Sequence, residues 1–407
     1  MRAPLSPSRR AVAVAPFHVM RILERARVLE AAGKDIIHLE VGEPDFPTPE
    51  PVLAAARQAL ASQRLGYTPA AGLPQLREAI ADYYRRRYRV ELEPARIIVT
   101  PGGSGALQLA LAAVLDVGET VLTPEPGYPC NRHIASLVGA MPRAFQLSAE
   151  QGYRLTAADV AAAWQADVRA VMAASPSNPT GSVMSREALE ELHQLVQQRG
   201  AALIIDEIYQ GLTYGSEEHT AACFDDGDVF VVNSFSKYFG MTGWRLGWLV
   251  APPAFAETLS RLAQNLYLSA PTLSQHAALA ALESETLVLL DQRRDAYRAR
   301  RDVLVGLLAD LGFEIASPPD GAFYLYARLP AQCHDAAALA ERLLETAGVA
   351  VTPGIDFGGT ERARTLRFAY TVEPDRLREA VARIASVMAP VCCRTEPNSV
   401  FRTHWHR

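Results

Sequence analysis

The sequence predicts an α/β domain, with a mostly parallel sheet and helices on both faces, and a smaller α+β domain. Three observations support this prediction. Short apolar runs alternate with helical stretches between residues 97 and 250, as they do when helices join parallel strands. A long helix rich in Arg and Asp begins near Leu287, and a different pattern follows it. The length of 407 residues, 49% of them hydrophobic, suits two or three globular domains.

Continuous apolar runs predict the strands of the large sheet, because a parallel strand covered on both faces has no polar side. These runs are Ile97–Thr100, Val121–Thr123, Ala170–Ala174, Leu203–Ile205, Val229–Val232 and Leu246–Val250. Apolar residues at helical spacing predict helices around them, for example Leu107, Leu111 and Val114 on one stripe. The helical segments are Pro51–Leu60, Leu73–Tyr84, Ala106–Leu115 and Arg186–Arg199, while Ser260–Gln275 interrupts the alternation.

A second set of segments predicts the smaller domain. They are Gly312–Ser317, Ala322–Ala327, the helix Ala336–Ala347, Val349–Pro353, Thr365–Tyr370 and the helix Asp375–Met388. The Arg-rich stretch Arg293–Arg301 is interspersed with Asp residues, which predicts a solvated face. We expect a loose N-terminal arm and part of the small domain at 1–47, a large domain at 48–288, a small domain at 289–390 and a flexible tail at 391–407.

Charge and cysteine content argue against several classes of protein. The 40 Lys and Arg against 45 Asp and Glu give a formal net charge of −5, so the chain as a whole has no drive toward nucleic acid or anionic lipid. The 5 cysteines are scattered and odd in number, which predicts a reducing, cytoplasmic compartment. No apolar run approaches the length of a membrane span. The tail residues Cys392, Cys393, His404 and His406 are expected to bind no metal.

The segment IIVTPGGSGA (97–106) has a composition suited to binding an anion. A strand ends there in a glycine-rich turn before a helix opens, and amides at a helix N-terminus attract negative charge. The pattern is neither a Walker A motif nor GxGxxG, so nucleotide binding by those motifs loses support. On this segment alone, an ordinary turn is the better interpretation.

The segment VFVVNSFSKYFGMTGWRLG (229–247) points to a reactive amine. A strand ends at two serines, Lys237 follows, and Arg245 comes after it. Lys237 and Lys34 are the only lysines among the 40 Lys and Arg, so arginine supplies nearly all the positive charge. A lysine among apolar and hydroxyl side chains loses its proton readily, which an amine that condenses with a carbonyl requires.

These segments and others resemble the class I/II, fold-type I aminotransferases that use pyridoxal 5′-phosphate (PLP). The resemblance extends from about Asp35 to Met388 and implies the PLP-dependent transferase fold. The matching segments follow the family's order: VGEPDFPTP (41–49), YTPAAGLPQLREAIA (67–81), TPGGSGAL (100–107), PEPGYP (124–129), SPSNPTG (175–181), DEIY (206–209), SFSK (234–237), GWRLG (243–247), TPG (352–354) and LRF (366–368). One such segment is weak evidence, whereas the ordered set is strong evidence.

The resemblance implies a role for each residue around the cofactor ring. Lys237 holds PLP covalently, and its amine moves the proton between the substrate and the cofactor once substrate has displaced it. Asp206 pairs with the pyridine nitrogen, which makes the ring a better electron sink. Tyr209 and Asn178 bond the cofactor's O3′, Asn178 also assists with the substrate carboxylate, and Tyr128 stacks on the ring. Taken singly, these residues also suit a helix N-cap, core tyrosines and a turn residue.

The resemblance also implies where the anionic groups bind. The phosphate is expected on the amides of Gly103, Ser104 and Gly105 and on the side chains of Ser234, Ser236 and Arg245. Tyr67 resembles a tyrosine that reaches the phosphate of the neighbouring subunit, which implies a homodimer with shared active sites. Arg367 would hold the substrate α-carboxylate through two parallel bonds, and Gly42 would approach the same carboxylate through its backbone.

No motif specifies the amino donor. Some aspartate-using relatives have a lysine after the Gly-Gly of the phosphate loop, where Ser104 stands here. Others bring an arginine from the partner subunit shortly before a segment like YLSAP (267–271), where this chain has Gln264 and Asn265, with Arg261 further back. A second carboxylate lacks an obvious partner, which favours neutral or aromatic donors. Glutamate or aspartate, bound through a mobile arginine, stays an alternative.

We therefore expect a PLP-dependent aminotransferase that moves the α-amino group of an L-amino acid to a 2-oxo acid by a ping-pong mechanism. A carbon–sulfur β-lyase on the same fold is the alternative, because fold does not fix the reaction. A PLP-binding regulatory protein is less expected, since no DNA-binding domain precedes residue 35 and the reactive residues are all present. The expected partners are small substrates and a second copy of the chain, without nucleic acid or membrane.

Overall fold

A computed structural model describes residues 5–62, 64–215 and 218–388, apart from the side chain of Arg9. Its strands are β1 (Ile37–His38), β2 (Ile97–Thr100), β3 (Thr120–Glu125), β4 (Met141–Gln146), β5 (Val168–Ala174), β6 (Ala202–Asp206), β7 (Val229–Ser234), β8 (Gly247–Val250), β9 (Glu314–Ile315), β10 (Tyr324–Arg328), β11 (Val349–Ala350), β12 (Thr352–Pro353) and β13 (Thr365–Ala369). The predicted tail at 391–407 lies outside the described residues.

Helices connect and cover these strands. They are α1 (Arg9–Ala13), α2 (His18–Ala31), α3 (Glu50–Ser62), α4 (Pro74–Tyr88), α5 (Gly102–Val114), α6 (Pro129–Val138), α7 (Ala157–Ala163), α8 (Arg186–Gln198), α9 (Ala256–Leu266), α10 (Thr272–Ala281), α11 (Ser284–Asp310), α12 (Ala336–Arg342) and α13 (Pro374–Met388). Among the described residues, no helix is both long and apolar enough to cross a bilayer.

The large sheet has 7 strands in the order β2-β8-β7-β6-β5-β3-β4. All its neighbouring pairs are parallel except those of β8, which runs antiparallel to β2 and β7. Along β6, Leu203 and Ile205 pack into one apolar core, whereas Ala202 and Ile204 pack into a second. Helices α5 and α9 contribute to the second core, and α4 and α8 to the first. Both faces are therefore covered, which confirms the predicted α/β class and explains why the strands are continuously apolar.

The second sheet is small and antiparallel, with 4 strands in the order β12-β13-β10-β9. The predicted single strand Val349–Pro353 is divided: Val349 and Ala350 pair with β1, while Thr352 and Pro353 pair with β13. This division ties the segment before Gly42 to the sheet that carries Arg367, because β1 leads directly into that segment.

Three details differ from the sequence-based expectations. Residues 9–13 of the expected loose arm form α1, capped by the side chain of Ser8. Ser260–Gln275, where the pattern is interrupted, lies mostly in the consecutive helices α9 and α10. The solvated face predicted for Arg293–Arg301 is wrong at Arg300, which is 2% exposed and donates to both carboxylate oxygens of Asp45 at 2.9 Å. A buried arginine is tolerated there because its charge is paired.

Candidate active site

A cavity of about 280 Å³ lies at the carboxyl ends of β5, β6 and β7. This is where parallel α/β sheets usually bind ligands, because loops diverge at that edge. Its polar lining comes from Gly42, Glu43, Gly103, Ser104, Tyr128, Asn131, Asn178, Asp206, Tyr209, Ser234, Ser236, Lys237, Thr242, Arg245, Tyr324 and Arg367. The rest of the wall is mostly apolar: Phe17, Val19, Met20, Val41, Leu107, Ile134, Ala174 and Ile208.

Lys237 places a primary amine in the cavity, shortly after the end of β7. Its Nζ donates a hydrogen bond to the backbone oxygen of Gly42 at 2.6 Å. Enclosure by protein lowers the pKa of Lys237 to about 8, since burial disfavours the charged form, and the nearby Glu43 opposes this effect. A usable fraction of the amine is therefore neutral near physiological pH and able to act as a nucleophile or a base.

Asp206 ends β6 and lines the same cavity. Its carboxylate accepts the backbone N–H of Ile208 at 3.2 Å and also bonds the side chain of Asn131. Burial raises the pKa of Asp206 to about 6, although these hydrogen bonds and the charge of Lys237 oppose the rise. A carboxylate in this setting would gain from a cationic partner inside the cavity.

Another part of the cavity wall is suited to an anion. Helix α5 begins at Gly102, earlier than the predicted Ala106, so the glycine-rich segment forms the first helical turn, with its free amides. Gly102 has φ +76°, and a Cβ there would lie 2.7 Å from Nη2 of Arg245. Ser234 and Ser236 join the cluster, the first donating to the second at 2.9 Å. Hydroxyls, amides and a guanidinium together match a phosphate group.

Arg367, on β13, supplies a second guanidinium to the cavity wall. It is 2% exposed, and its Nη1 donates to Oδ1 of Asn178 at 2.8 Å. Its Nη2 donates to the backbone oxygen of Glu40, and Nε has no hydrogen-bond partner among the described residues. The guanidinium lies over the ring of Tyr324, 4.3 Å from its centroid. These contacts hold a planar cation at the cavity wall, where it can pair with a carboxylate.

The hydroxyls of Tyr209 and Tyr324 are 2.8 Å apart beside this arginine. Both side chains are buried, and burial raises the pKa of each. A Cβ on Gly42 would lie 1.5 Å from the Tyr324 hydroxyl, so the ring can occupy this position only because residue 42 is glycine.

The N-terminal segment closes one side of the cavity. Phe17, Val19 and Met20 line it, and the Phe17 ring meets Tyr128 edge to face at 5.9 Å between centroids. The buried carboxylate of Asp356 holds this segment, accepting the backbone N–H groups of His18 and Val19, each at 3.0 Å. The start of α2 is thereby fixed over the cavity by a residue far away in the sequence.

The structure brings together nearly every residue that the sequence proposed for the site. Tyr67 and Gly105 are the exceptions: Tyr67 is 84% exposed and does not line this cavity, and Gly105 lies further along α5. Arg261, Gln264 and Asn265 are exposed on α9 and contribute no cation to the cavity of this chain.

Sequence reasoning missed several residues of the wall, chiefly Phe17, Val19, Asn131 and Tyr324. For Tyr324 the available signal was an aromatic residue inside a predicted strand, which is equally typical of a core position. Among the described residues, no cluster of three or more His, Cys, Asp or Glu is arranged to hold a metal ion. Cys392, Cys393, His404 and His406 lie outside them.

The two lysines have opposite settings. Lys237 lies inside the cavity, whereas Lys34 is exposed just beyond α2. The Nζ of Lys34 donates to the backbone oxygen of Glu345 at 3.1 Å. The amine of Lys237 is therefore the one that the fold encloses and whose pKa it lowers.

A covered, mostly parallel sheet whose strand ends combine an enclosed amine, a buried carboxylate and an anion cradle defines a PLP-dependent enzyme of the α/β class. The chain belongs to the aminotransferase class I and II family, whose sequence profile matches residues 34–384. It is therefore an aminotransferase, a transferase that uses PLP and acts on amino acids and keto acids.

Individual relatives match along nearly the whole chain. The valine–pyruvate aminotransferase of Mycobacterium tuberculosis is 37% identical over 374 residues, covering 92% of this chain and 96% of that protein. The aspartate/prephenate aminotransferase of Thermus thermophilus is 36% identical over 383 residues, covering 94% and 98%. A crystal structure of an aminotransferase from Mycobacterium tuberculosis superimposes with a TM-score of 0.91 at 36% identity, covering 95% of this chain and all of that one.

Proposed function

We propose that this aminotransferase takes its amino group from L-amino acids with neutral or aromatic side chains and passes it to a 2-oxo acid in two half-reactions at one site. The observation that carries this proposal is the composition of the cavity wall. Arg367 can hold one carboxylate, while apolar residues of α2, α5 and α6 form other parts of the same cavity wall. An amino acid has one carboxylate beside Cα and a side chain that must go elsewhere in the same cavity.

PLP, when bound, supplies an aldehyde that condenses with a primary amine and a ring that accepts the electron pair released at Cα. Lys237 is the candidate for that amine and, when free, for the base at Cα, because its pKa of about 8 leaves a neutral fraction. Asp206 would pair with the protonated ring nitrogen. Burial raises the pKa of Asp206, so its charged form would be stabilised by this cationic partner. Tyr209 and Asn178 would bond the ring's O3′, and Tyr128 would cover the ring face.

The remaining polar wall would hold the two anionic groups. The amides of Gly103, Ser104 and Gly105 and the side chains of Ser234, Ser236 and Arg245 would bind the phosphate. Arg367 would hold the substrate carboxylate, and Gly42 would approach it through its backbone. The Arg245 cluster would thus hold the cofactor through its phosphate, and Arg367 would hold the substrate through its carboxylate.

The charge around the substrate side argues against a second carboxylate. The cations that line the cavity among the described residues are Lys237, Arg245 and Arg367, and each already has a role in the proposal. Glu43 adds a negative charge to the same wall. In the cavity formed by one chain, the second carboxylate of an aspartate would find no further cation, which is unfavourable. The name of the valine–pyruvate relative agrees with this preference, whereas that of the aspartate/prephenate relative does not.

We further propose a cytoplasmic homodimer in which Tyr67 of each chain serves the other chain's site. The 84% exposure of Tyr67, outside its own cavity, supports this assignment. Leu65, Leu266 and Leu268 are also exposed apolar residues, and covering them would be favourable.

We propose the division into a large domain at 48–288 and a small domain at 289–390, with 1–47 contributing to the small one.

The test is a donor panel in single half-reactions. The cofactor-loaded protein is mixed with one amino acid at a time, without any keto acid, and its absorption spectrum is followed. We expect valine, leucine and phenylalanine to convert the yellow cofactor band faster than aspartate by at least about tenfold in second-order rate constant. Faster conversion by aspartate would contradict the proposed donor class. Release of pyruvate and ammonia from a cysteine conjugate, with no conversion of the band, would indicate the β-lyase instead.

A further inference from the structure

Tyr324 extends the polar chemistry of the site by one hydroxyl beyond the residues with proposed roles. It lies on β10, is 1% exposed, and its hydroxyl is 2.8 Å from that of Tyr209. The two rings are inclined at 76°, with centroids 5.6 Å apart, so they pack edge to face in addition to the hydrogen bond between their hydroxyls. A buried hydroxyl pair of this kind has one donor and one acceptor, and the surroundings decide which is which.

Arg367 favours Tyr324 as the donor. Its guanidinium lies 4.3 Å from the centroid of the Tyr324 ring, and a cation at that place stabilises negative charge on the phenol. The more acidic of two hydroxyls is the better hydrogen-bond donor. Tyr209 then accepts, and its own proton must point to a different acceptor.

We propose that Tyr324 is a positioning residue whose hydroxyl donates to Tyr209 and thereby aims the Tyr209 proton into the cavity. This inference rests on the proposed function, in which Tyr209 bonds O3′ of PLP. A hydroxyl that accepts a hydrogen bond becomes a stronger donor, so Tyr324 also strengthens the bond that Tyr209 makes.

The surrounding backbone is shaped to allow this arrangement. Residue 42 has to be glycine, because a Cβ would overlap the Tyr324 hydroxyl at 1.5 Å. The carbonyl of the same glycine accepts a hydrogen bond from Nζ of Lys237. The Tyr324 hydroxyl therefore lies close to Tyr209 and to the glycine that bonds the Lys237 amine, while Arg367 lies over the Tyr324 ring.

Tyr324→Phe tests the inference, because it removes the hydroxyl and keeps the ring beneath Arg367. The measurement is the pH midpoint of the visible band of the cofactor-loaded protein, which reports the protonation of the lysine–cofactor linkage. A strong Tyr209 bond to O3′ stabilises the deprotonated linkage. We expect Tyr324→Phe to raise the midpoint by about 0.5 to 1 pH unit, the size of one hydrogen bond.

Tyr326→Phe is the matched control. Tyr326 is on the same strand and is 6% exposed, and its hydroxyl accepts a hydrogen bond from Thr365 at 2.6 Å, away from Tyr209. Its loss should leave the midpoint unchanged, and thermal unfolding of the cofactor-free variants checks that each is folded. Tyr209→Phe should raise the midpoint further, and adding Tyr324→Phe to it should have no additional effect.

The outcomes separate the two proposals. Absence of a visible band in the unaltered protein would remove the assigned role of Lys237 and the proposed function with it. A normal band whose midpoint is the same in Tyr324→Phe as in the unaltered protein would overturn this inference and leave the proposed function intact. A rise in substrate KM with no change in the midpoint would also overturn it, since it would mean that Tyr324 supports Arg367 alone.

Discussion

The buried carboxylate of Asp206 should make the cofactor-free protein less stable as pH rises. The change that tests this is Asp206→Asn, which keeps the shape of the side chain and removes its charge. The pKa of Asp206 is about 6 in the folded chain against an ordinary value of 3.8, so the folded state holds the proton more tightly than the unfolded state does. The contribution of Asp206 to stability is most favourable where the group is protonated in both states, below about pH 4. This contribution falls as pH rises and levels off above about pH 6.

The size of the effect follows from that shift. Roughly two pKa units at about 1.4 kcal/mol each mean that the ionised carboxylate costs about 3 kcal/mol above pH 6. About half of this cost is present at pH 5 and nearly all of it at pH 8. Relative to the unaltered protein, Asp206→Asn should therefore gain about 1.5 kcal/mol of unfolding free energy between these two pH values.

The assay is urea unfolding of the cofactor-free proteins at pH 5 and pH 8, at equal protein concentration because assembly affects stability. Asp310→Asn, at the exposed end of α11, is the control and should show no such widening. With PLP added at pH 8, the unaltered protein should become more stable than Asp206→Asn, because the carboxylate then gains a cationic partner. A difference between Asp206→Asn and the unaltered protein that stays constant or shrinks from pH 5 to pH 8 would refute the reasoning.

Two further substitutions test the ends of the cavity. Lys237→Ala should lower turnover by at least about 10⁴-fold and abolish borohydride-dependent labelling by the cofactor, whereas Lys34→Ala should change neither; substantial turnover in Lys237→Ala would contradict its central role. Arg367→Lys keeps the charge but loses the planar fork that bonds Asn178, so KM for the amino acid should rise about 10- to 100-fold, with a smaller change in kcat. Arg364→Lys, just outside β13, is the matched control, and an equal effect there would show that Arg367 has no special part.

The sequence predicts most of the large sheet because its inner strands are buried on both faces and read as continuous apolar runs. The edge strand β4 was missed for the opposite reason: of MPRAFQ, only Phe145 is buried, so no apolar run marks it. Arg300 was misassigned because periodicity shows the charge of a helix position but not the distant Asp45 that makes its burial tolerable.

The candidate site divides in the same way. Lys237, Asp206 and Arg245 lie in short local segments whose composition is distinctive. Tyr324 acquires its significance from Tyr209, 115 positions away along the chain, and the closure by the N-terminal segment depends on Asp356, 338 positions from His18. Contacts across such separations leave no local pattern, so only the folded chain shows them.

The contrast between the two lysines has a consequence for handling the cofactor in solution. PLP is a free aldehyde that attaches reversibly to accessible amines, and on most proteins surface lysines compete for it. Here the exposed side-chain cations are arginines, apart from Lys34, and a guanidinium does not form such adducts readily. Titration of this protein with PLP should therefore be close to stoichiometric, with little unproductive adduct on the surface. The same scarcity leaves Lys34 as the one other lysine that would compete with Lys237 for aldehyde probes that fit the cavity.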